Sequence, residues 1–452
     1  MEKQHFHHAL KVHADVCIGC SHCMRVCPTE AIRVWNGTAD INSNRCVDCG
    51  DCYRVCPVSA IYVEHDDLAS IFKYKARVAL VPSVLIGQFP EKVKTSQIYN
   101  VLYELGFTHV VEVEQGVDIV AEAYNEYSNK PESGPLISTF CPAIVRLIQV
   151  RFPALLENLV LINPPSDITA VYYKKKLQEE GFSQSEIGIF YVTPCAAKIA
   201  AVKSPEGEDE SKIDGVINMN FIYDRIYRTI SNQKVDEAVS SDMGKLSAKS
   251  ILWSLTNGEA PYMNGRSLAV DGITNVIEFL EMVENDDDET IDFLELRACD
   301  ESCAGGILVS GNRFLTIERL RKRAEHIEKS DSSLAEERLA DMEKHKDEIL
   351  GVNHLKEIKA RSIILDQDLG VALDKMKKSR KLQSFLPGFD CGACGAPTCK
   401  ALAEDIAQKN ATLSHCVFMQ RVMEKHHRLS PEHAIRIIER IWGRNRLNKD
   451  PK

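Results

Sequence analysis

The chain has 452 residues, 44% of them hydrophobic and 27% charged, which allows about three domains at roughly 150 residues each. That composition excludes a disordered, collagen-like or small disulfide-stapled protein, and 65 acidic against 55 basic residues leave no field for nucleic acid. No apolar run approaches the ~18 residues of a membrane span and the first residues lack a signal-peptide core, so a cytoplasmic protein is expected. In a reducing compartment its 16 cysteines read as metal ligands, not disulfides.

In chain order, the first feature is Cys17-x2-Cys20-x2-Cys23-x3-Cys27-Pro28, repeated as Cys46-x2-Cys49-x2-Cys52-x3-Cys56-Pro57. This is the two-cluster bacterial ferredoxin run. Three thiolates two residues apart wrap one corner of an iron–sulfur cube, and the fourth, beside proline, reaches across to the other. One cluster is therefore expected on Cys17, Cys20, Cys23 and Cys56, the second on Cys46, Cys49, Cys52 and Cys27. Short strands at 31–34 and 60–63 follow the two runs as halves of a repeat. Paired zinc ribbons are the competing reading.

Residues 78–81 and 187–192 read as buried strands and 110–113, 160–162 and 268–270 as further strands, with a helix at 95–105, the alternation of a parallel α/β fold. Four dispersed cysteines fall at strand-to-loop breaks. The run 136–140 ends at Cys141-Pro142, and 187–192 ends at Thr193-Pro194-Cys195. The run 293–296 leads into Ala298-Cys299-x3-Cys303-x-Gly305-Gly306. Ligands in α/β proteins bind at the carboxyl ends of strands; four buried structural thiols are the blander alternative. Residues 204–212 and the acidic 284–289 read as solvated loops, and no phosphate-binding glycine motif is present. Residues 319–347 predict a long exposed helix or helix pair. Near the C-terminus Cys391-x2-Cys394-Gly395-x3-Cys399 is followed by a helix at 402–413 and by Cys416, a further cube or a four-cysteine zinc site. The basic tail, with Ile435, Ile437, Ile438, Ile441 and Trp442, predicts an amphipathic helix packed on its domain or a dimer partner, with membrane or other partner binding as the alternative.

Cys141-Pro142, Pro194-Cys195-x2-Lys198 and Cys299-x3-Cys303-x-Gly305-Gly306 resemble the three active-site loops of [FeFe]-hydrogenases. The resemblance runs from about residue 75 to 370. It implies an α/β fold with a two-lobed parallel-sheet catalytic domain at 73–372, an α+β ferredoxin-like domain at 1–72, and a small helical [4Fe-4S] domain at 373–452. It further implies three accessory [4Fe-4S] clusters and an H-cluster, a cube plus a di-iron unit carrying CO, cyanide and azadithiolate. By position Cys141, Cys195 and Cys299 hold the cube, Cys303 bridges to di-iron, and Lys198 faces a cyanide. The metal ligands are complete, but the proton relay is not. Phe140 stands where the family has a thiol, Thr193 and Arg297 where it has methionines, and Ala201 where it has glutamate. Glu295, Glu301, Asp300 and the Thr193 hydroxyl are candidates for a substitute route. Slow turnover follows, since acid–base help is worth roughly 10²–10⁴ in rate.

The lost relay and the extra C-terminal cluster resemble the sensory branches of the family, in the form lacking a PAS domain, often labelled group D. The function so implied is reversible 2 H⁺ + 2 e⁻ ⇌ H₂, used for sensing. Expected partners are H₂ and protons, a ferredoxin-like redox protein, maturation proteins, a signalling partner and a second copy as a homodimer. The alternative is a hydrogenase-like electron carrier or cluster-assembly protein without di-iron, against which Cys303 and Lys198 argue.

Overall fold

In a computed structural model, residues 6–444 are described apart from 128–133, 209, 233–234, 237–245, 286–290, 329–332, 352–354 and 362–367. Residues 286–289 of the acidic loop, and Arg446, Lys449 and Lys452 of the basic tail, lie outside the described residues. The chain divides into two compact units. One comprises Met1–Ala9 and His65–Ala360; the other comprises Leu10–Glu64 and Arg361–Lys452. The two cysteine-rich ends, far apart in sequence, thus share a unit.

In that smaller unit β1 (Leu10–Val12) pairs antiparallel with β4 (Ile61–Val63), and β2 (Ile32–Trp35) with β3 (Thr38–Ile41). The repeat in the sequence is a repeat in space. Ahead of β2 and β4 the chain passes through a left-handed residue, Glu30 at φ 52° and Ser59 at φ 50°. The next N–H then donates to the preceding thiol: Ala31 to Cys27 and Ala60 to Cys56, both at 3.1 Å. The C-terminal helices are Leu369–Gln383, Cys399–Ala407, Val417–Lys425 and Pro431–Trp442. The second ends earlier than the expected 402–413, because Lys409 turns left-handed at φ 67°. Ser430 caps the last helix and Pro431 opens it. Its Ala434, Ile437 and Ile441 are buried, the stripe of an amphipathic helix packed on its own unit.

The larger unit holds two parallel sheets. β5 (Ala76–Val81), β6 (His109–Glu112), β8 (Ile187–Thr193) and β9 (Gly215–Asn218) form one, in the order β6-β5-β8-β9. β7 (Leu136–Ile137), β10 (Ser267–Asp271) and β11 (Phe293–Arg297) form the other, in the order β10-β11-β7. β8 is buried at every position, as a parallel strand covered on both faces should be. Residues 160–162 form no strand. Leu159 makes an isolated bridge to Ile137, and Pro164-Pro165 then start the helix Pro165–Glu179, which leaves the run too short to pair further.

The charged segment at 319–347 is not a free spacer. Its first helix, Arg313–Glu328, lays Leu320 and Ala324 into the core, and Leu320 sits where a Cβ on Gly87 would be, 2.8 Å away. Arg323 grips the carboxylate of Glu112, at the end of β6, through two bonds of 2.6 and 2.5 Å; Tyr99 and Ser83 hydroxyls complete its partners. Glu112→Gln should leave that half-buried guanidinium without its counter-charge and cost up to about 3–5 kcal/mol. Urea unfolding checks this, and adding Arg323→Met should recover much of the loss.

Candidate metal centres

In the smaller unit Cys27, Cys46, Cys49 and Cys52 line one cavity of about 20 Å³, so the fourth thiol of the first run does meet the second. Cys23 feels the charges of Cys20, Cys17 and Cys56. Burial first, and these neighbours next, push its thiol up to about 12. The same causes, with Asp48 or Asp51 added, hold Cys46 and Cys49 well above the ordinary thiol value. A thiol so desolvated ionises only with a cation on its sulfur, which fits metal ligation. Cys17 also accepts N–H bonds from Gly19 at 3.5 Å and Ala39 at 3.4 Å. Cys391, Cys394, Cys399 and Cys416 line a second cavity, of about 10 Å³, with Cys391 exposed and Cys394 and Cys416 buried.

In the larger unit the three loops leave β7, β8 and β11 at their carboxyl ends. Cys141 precedes the helix Pro142–Arg151, and Cys195 the helix Ala196–Lys203. The third loop is strained where it carries its thiols: Glu301 and Ser302 are consecutive left-handed residues at φ 62° and 51°. Asp271 holds the turn by accepting the Glu301 N–H at 2.9 Å. Gly306 is required, since a Cβ there would stand 2.6 Å from the Pro194 carbonyl oxygen. Leu308 N–H donates to that same oxygen, at 3.1 Å. The Cys303 loop is thereby pinned to the Cys195 loop. Cys195 feels the charges of Cys141 and Cys303, and burial pushes it up to about 12. Cys299, half-buried, accepts the Ser302 N–H through its carbonyl.

Two cations, the half-buried Lys198 and the buried Arg297, face these thiols. Lys198 Nζ donates to the Tyr191 hydroxyl at 3.2 Å and lies 3.9 Å from Cys303 Sγ. Burial opposes its charge, but Cys303, Tyr191 and Cys195 outweigh that and hold it protonated. Arg297 bonds Glu259 at 2.8 Å and lies 3.4 Å from Glu295. Burial opposes its charge too, and is outweighed by those carboxylates and by Cys303 and Cys141. Among the described residues its Nη1 has no hydrogen-bond partner. The Phe140 ring carries both cations, Lys198 at 4.2 Å and Arg297 at 4.0 Å from its centroid.

Three of the four candidates for a substitute proton route are engaged elsewhere, and the fourth, Glu301, lines a cavity beside the helix Arg313–Glu328. Glu295 accepts the N–H groups of Gly258, Glu259 and Ala260 at 3.3, 2.8 and 3.0 Å. Thr193 turns its hydroxyl to the backbone of Cys195, and Asp300 pairs with Arg313. Two residues not singled out in the sequence, Tyr191 and Asp167, join Lys198 and Phe140 in lining a mainly apolar cavity of about 130 Å³. Asp167 sits in the first turn of a helix, a position that in sequence signals only helix polarity.

Residues 75–260 match the family model described as iron only hydrogenase large subunit, C-terminal domain. Residues 9–57 match a 4Fe-4S dicluster domain, and 386–418 a family described as a Fe-S cluster domain. The chain therefore has a distant [FeFe]-hydrogenase-like core between N-terminal 4Fe-4S and C-terminal Fe-S domains. It is 25% identical over 163 residues to the cytosolic Fe-S cluster assembly factor NAR1 of Candida dubliniensis, covering 35% of this chain and 26% of that one. It is 40% identical over 47 residues to an uncharacterized protein of Methanocaldococcus jannaschii, covering 10% and 21%. The chain thus spans about a quarter or less of these curated relatives. An [FeFe]-hydrogenase of Chlamydomonas reinhardtii superposes with a TM-score of 0.48 at 14% identity, over 66% of this chain and 98% of that one. Among the described residues no helix is long and apolar enough to cross a membrane.

Burial, then Glu208, raises the Asp167 carboxyl from 3.8 to about 7, against the pull of Ser166, Lys212 and Lys198. Between those values the folded chain holds a proton that the unfolded chain has released, so stability falls as pH rises through that window. Asp167→Asn should flatten this fall, seen as a smaller difference between melting midpoints at about pH 4.5 and 7.5.

Proposed function

We propose that this chain is a hydrogenase-like iron–sulfur electron-transfer protein that holds a cube at each of its four cysteine sets and no di-iron unit. The observation that carries the reading is the Phe140 ring with Lys198 and Arg297 laid on it. Where the family resemblance calls for a proton-carrying thiol and a thioether, the chain has a ring and a guanidinium that hold one another. The cavity reaching Cys303 measures about 10 Å³, no more than the one at Cys391–Cys416, which the resemblance gives a single cube. The residues do fit cubes, which supply one-electron chemistry when bound: Cys141, Cys195 and Cys303 feel one another's charge, and Lys198 and Arg297 compensate the charge at Cys303 and Cys141.

The likeness to a protein named as a cluster assembly factor supports the same side, so the alternative drawn from the sequence replaces the hydrogenase reading as the main one. A redox protein is the partner this function requires. One observation favours the second reading, a slow hydrogen-sensing [FeFe]-hydrogenase: Lys198 stands 3.9 Å from the thiol that would bridge di-iron. Infrared spectroscopy separates the two. Protein produced together with hydrogenase maturation proteins should contain about sixteen irons, four per cube, and show no CO or cyanide stretch. Such bands would overturn the reading in favour of the second. Arg297→Met should also shift the reduction potential of the cube at Cys141–Cys303 downward, because a buried cation beside an anionic cluster favours the added electron; redox titration checks the direction.

A further inference from the structure

The C-terminal cysteine segment is built onto the ferredoxin-like repeat as part of the same unit, and its contacts concentrate at cluster loops. Val34 N–H on β2 donates at 2.9 Å to the carbonyl of Gly395, the residue after Cys394. A Cβ on Gly395 would run into the Val34 carbonyl oxygen, so only glycine admits this approach. The β2–β3 turn is fastened to the last helix by Asn36 N–H to Arg440 O at 2.8 Å and Gly37 N–H to Ile441 O at 3.0 Å. Trp442 Nε1 closes the loop by donating at 2.9 Å to Ala393 O, between Cys391 and Cys394. Two ion pairs reinforce the seam: Arg33 to Asp405 at 2.7 Å, and Arg45 to Glu404. Arg33 and Arg45 are both buried.

At the centre of this seam two ligand loops touch. Met24 follows Cys23, and its methyl lies where a Cβ on Gly392, the residue after Cys391, would come within 2.8 Å. Met24 is fully buried, a polarizable filler between the loops. On a second side, Trp35 packs against the core around Cys394 and Cys416, and His415 meets its ring edge-on at 5.3 Å. Gly37, which carries the last helix, also lies directly over Gly19 of the Cys17–Cys20 loop.

We propose that the cube on Cys391, Cys394, Cys399 and Cys416 and the cube on Cys17, Cys20, Cys23 and Cys56 form one electron-exchanging pair, joined across the Met24–Gly392 contact. In the exchange one cube loses one electron and the other gains it; no bond breaks and no proton moves. The proposal rests on the reading above only in taking both sets to hold cubes.

Low-temperature electron paramagnetic resonance of the dithionite-reduced full chain tests it, with metal analysis of every sample. Cys391→Ala/Cys394→Ala should remove one cube's worth of iron. Subtracting its spectrum from that of the wild type should leave a broadened, spin-coupled signal. Arg33→Glu/Arg45→Glu, which reverses the seam's charge and touches no ligand, should keep all the iron and lose that broadening. A difference spectrum showing one sharp isolated cube, unchanged by the charge reversal, would overturn the pair while leaving the cube assignment standing. Zinc at the C-terminal set would overturn both, and the metal analysis identifies that case.

Discussion

Buried thiolate charge is the constraint on which the rest of the structure depends. A cluster-ligating sulfur must be ionised, and four ionised sulfurs in a protein interior need compensation beyond the metal. The two units meet this need by different means. In the ferredoxin-like repeat the backbone does it: left-handed turns at Glu30 and Ser59 aim the Ala31 and Ala60 N–H groups at Cys27 and Cys56, and Gly19 and Ala39 serve Cys17. In the larger unit side-chain cations do it, Lys198 from the second loop and Arg297 from the last strand. Backbone donors supply partial charges. Two whole charges are a stronger remedy and need remedies of their own.

Those follow through the fold. Arg297 is buried with Glu259 and Glu295, and a buried cation without such partners would cost several kcal/mol, on the order of 3–5. Glu295 in turn organises the loop at Gly258, Glu259 and Ala260 through three N–H bonds, and burial pushes Glu259 up to about 7 even against the pull of Arg297. Glu295 therefore fixes a loop and a guanidinium. A carboxylate held by that many fixed donors is not free to turn toward the thiol loops.

What could be read in the sequence was what is local. The two ferredoxin runs, the strands ending at Thr193 and Arg297 and the last helix are short-range patterns, set by ligand spacing, burial period and capping. The loops carrying Cys141, Cys195, Cys299 and Cys303 were legible because an apolar run followed by proline or glycine marks the end of a parallel strand. The seam between Val34 and Gly395 was not. It joins residues hundreds of positions apart, and the glycine that permits it has the same spelling as one needed only for a tight ligand loop. The segment at 319–347 misled for a related reason: its charges suggested solvent, yet Arg323 is there to meet a buried Glu112. Asp167 gave no signal, since an acidic residue in a first helical turn is ordinary.

The departures at Phe140 and Arg297 read in sequence as two separate losses from a proton-carrying set. In the structure they are one change. A second cation beside Lys198 is repelled by it, and carboxylates on one side alone leave its other face exposed to the pocket. An aromatic ring between them presents a negative face to each cation, worth about 0.5–2 kcal/mol per contact in a desolvated site, and carries no proton to compete for. A thiol at that position would give up both contacts; a thioether in place of the guanidinium would leave the ring without half its purpose. The pair is thus stable as a unit and poor as a proton route for the same physical reason, because what holds the charge still is a surface with nothing to donate.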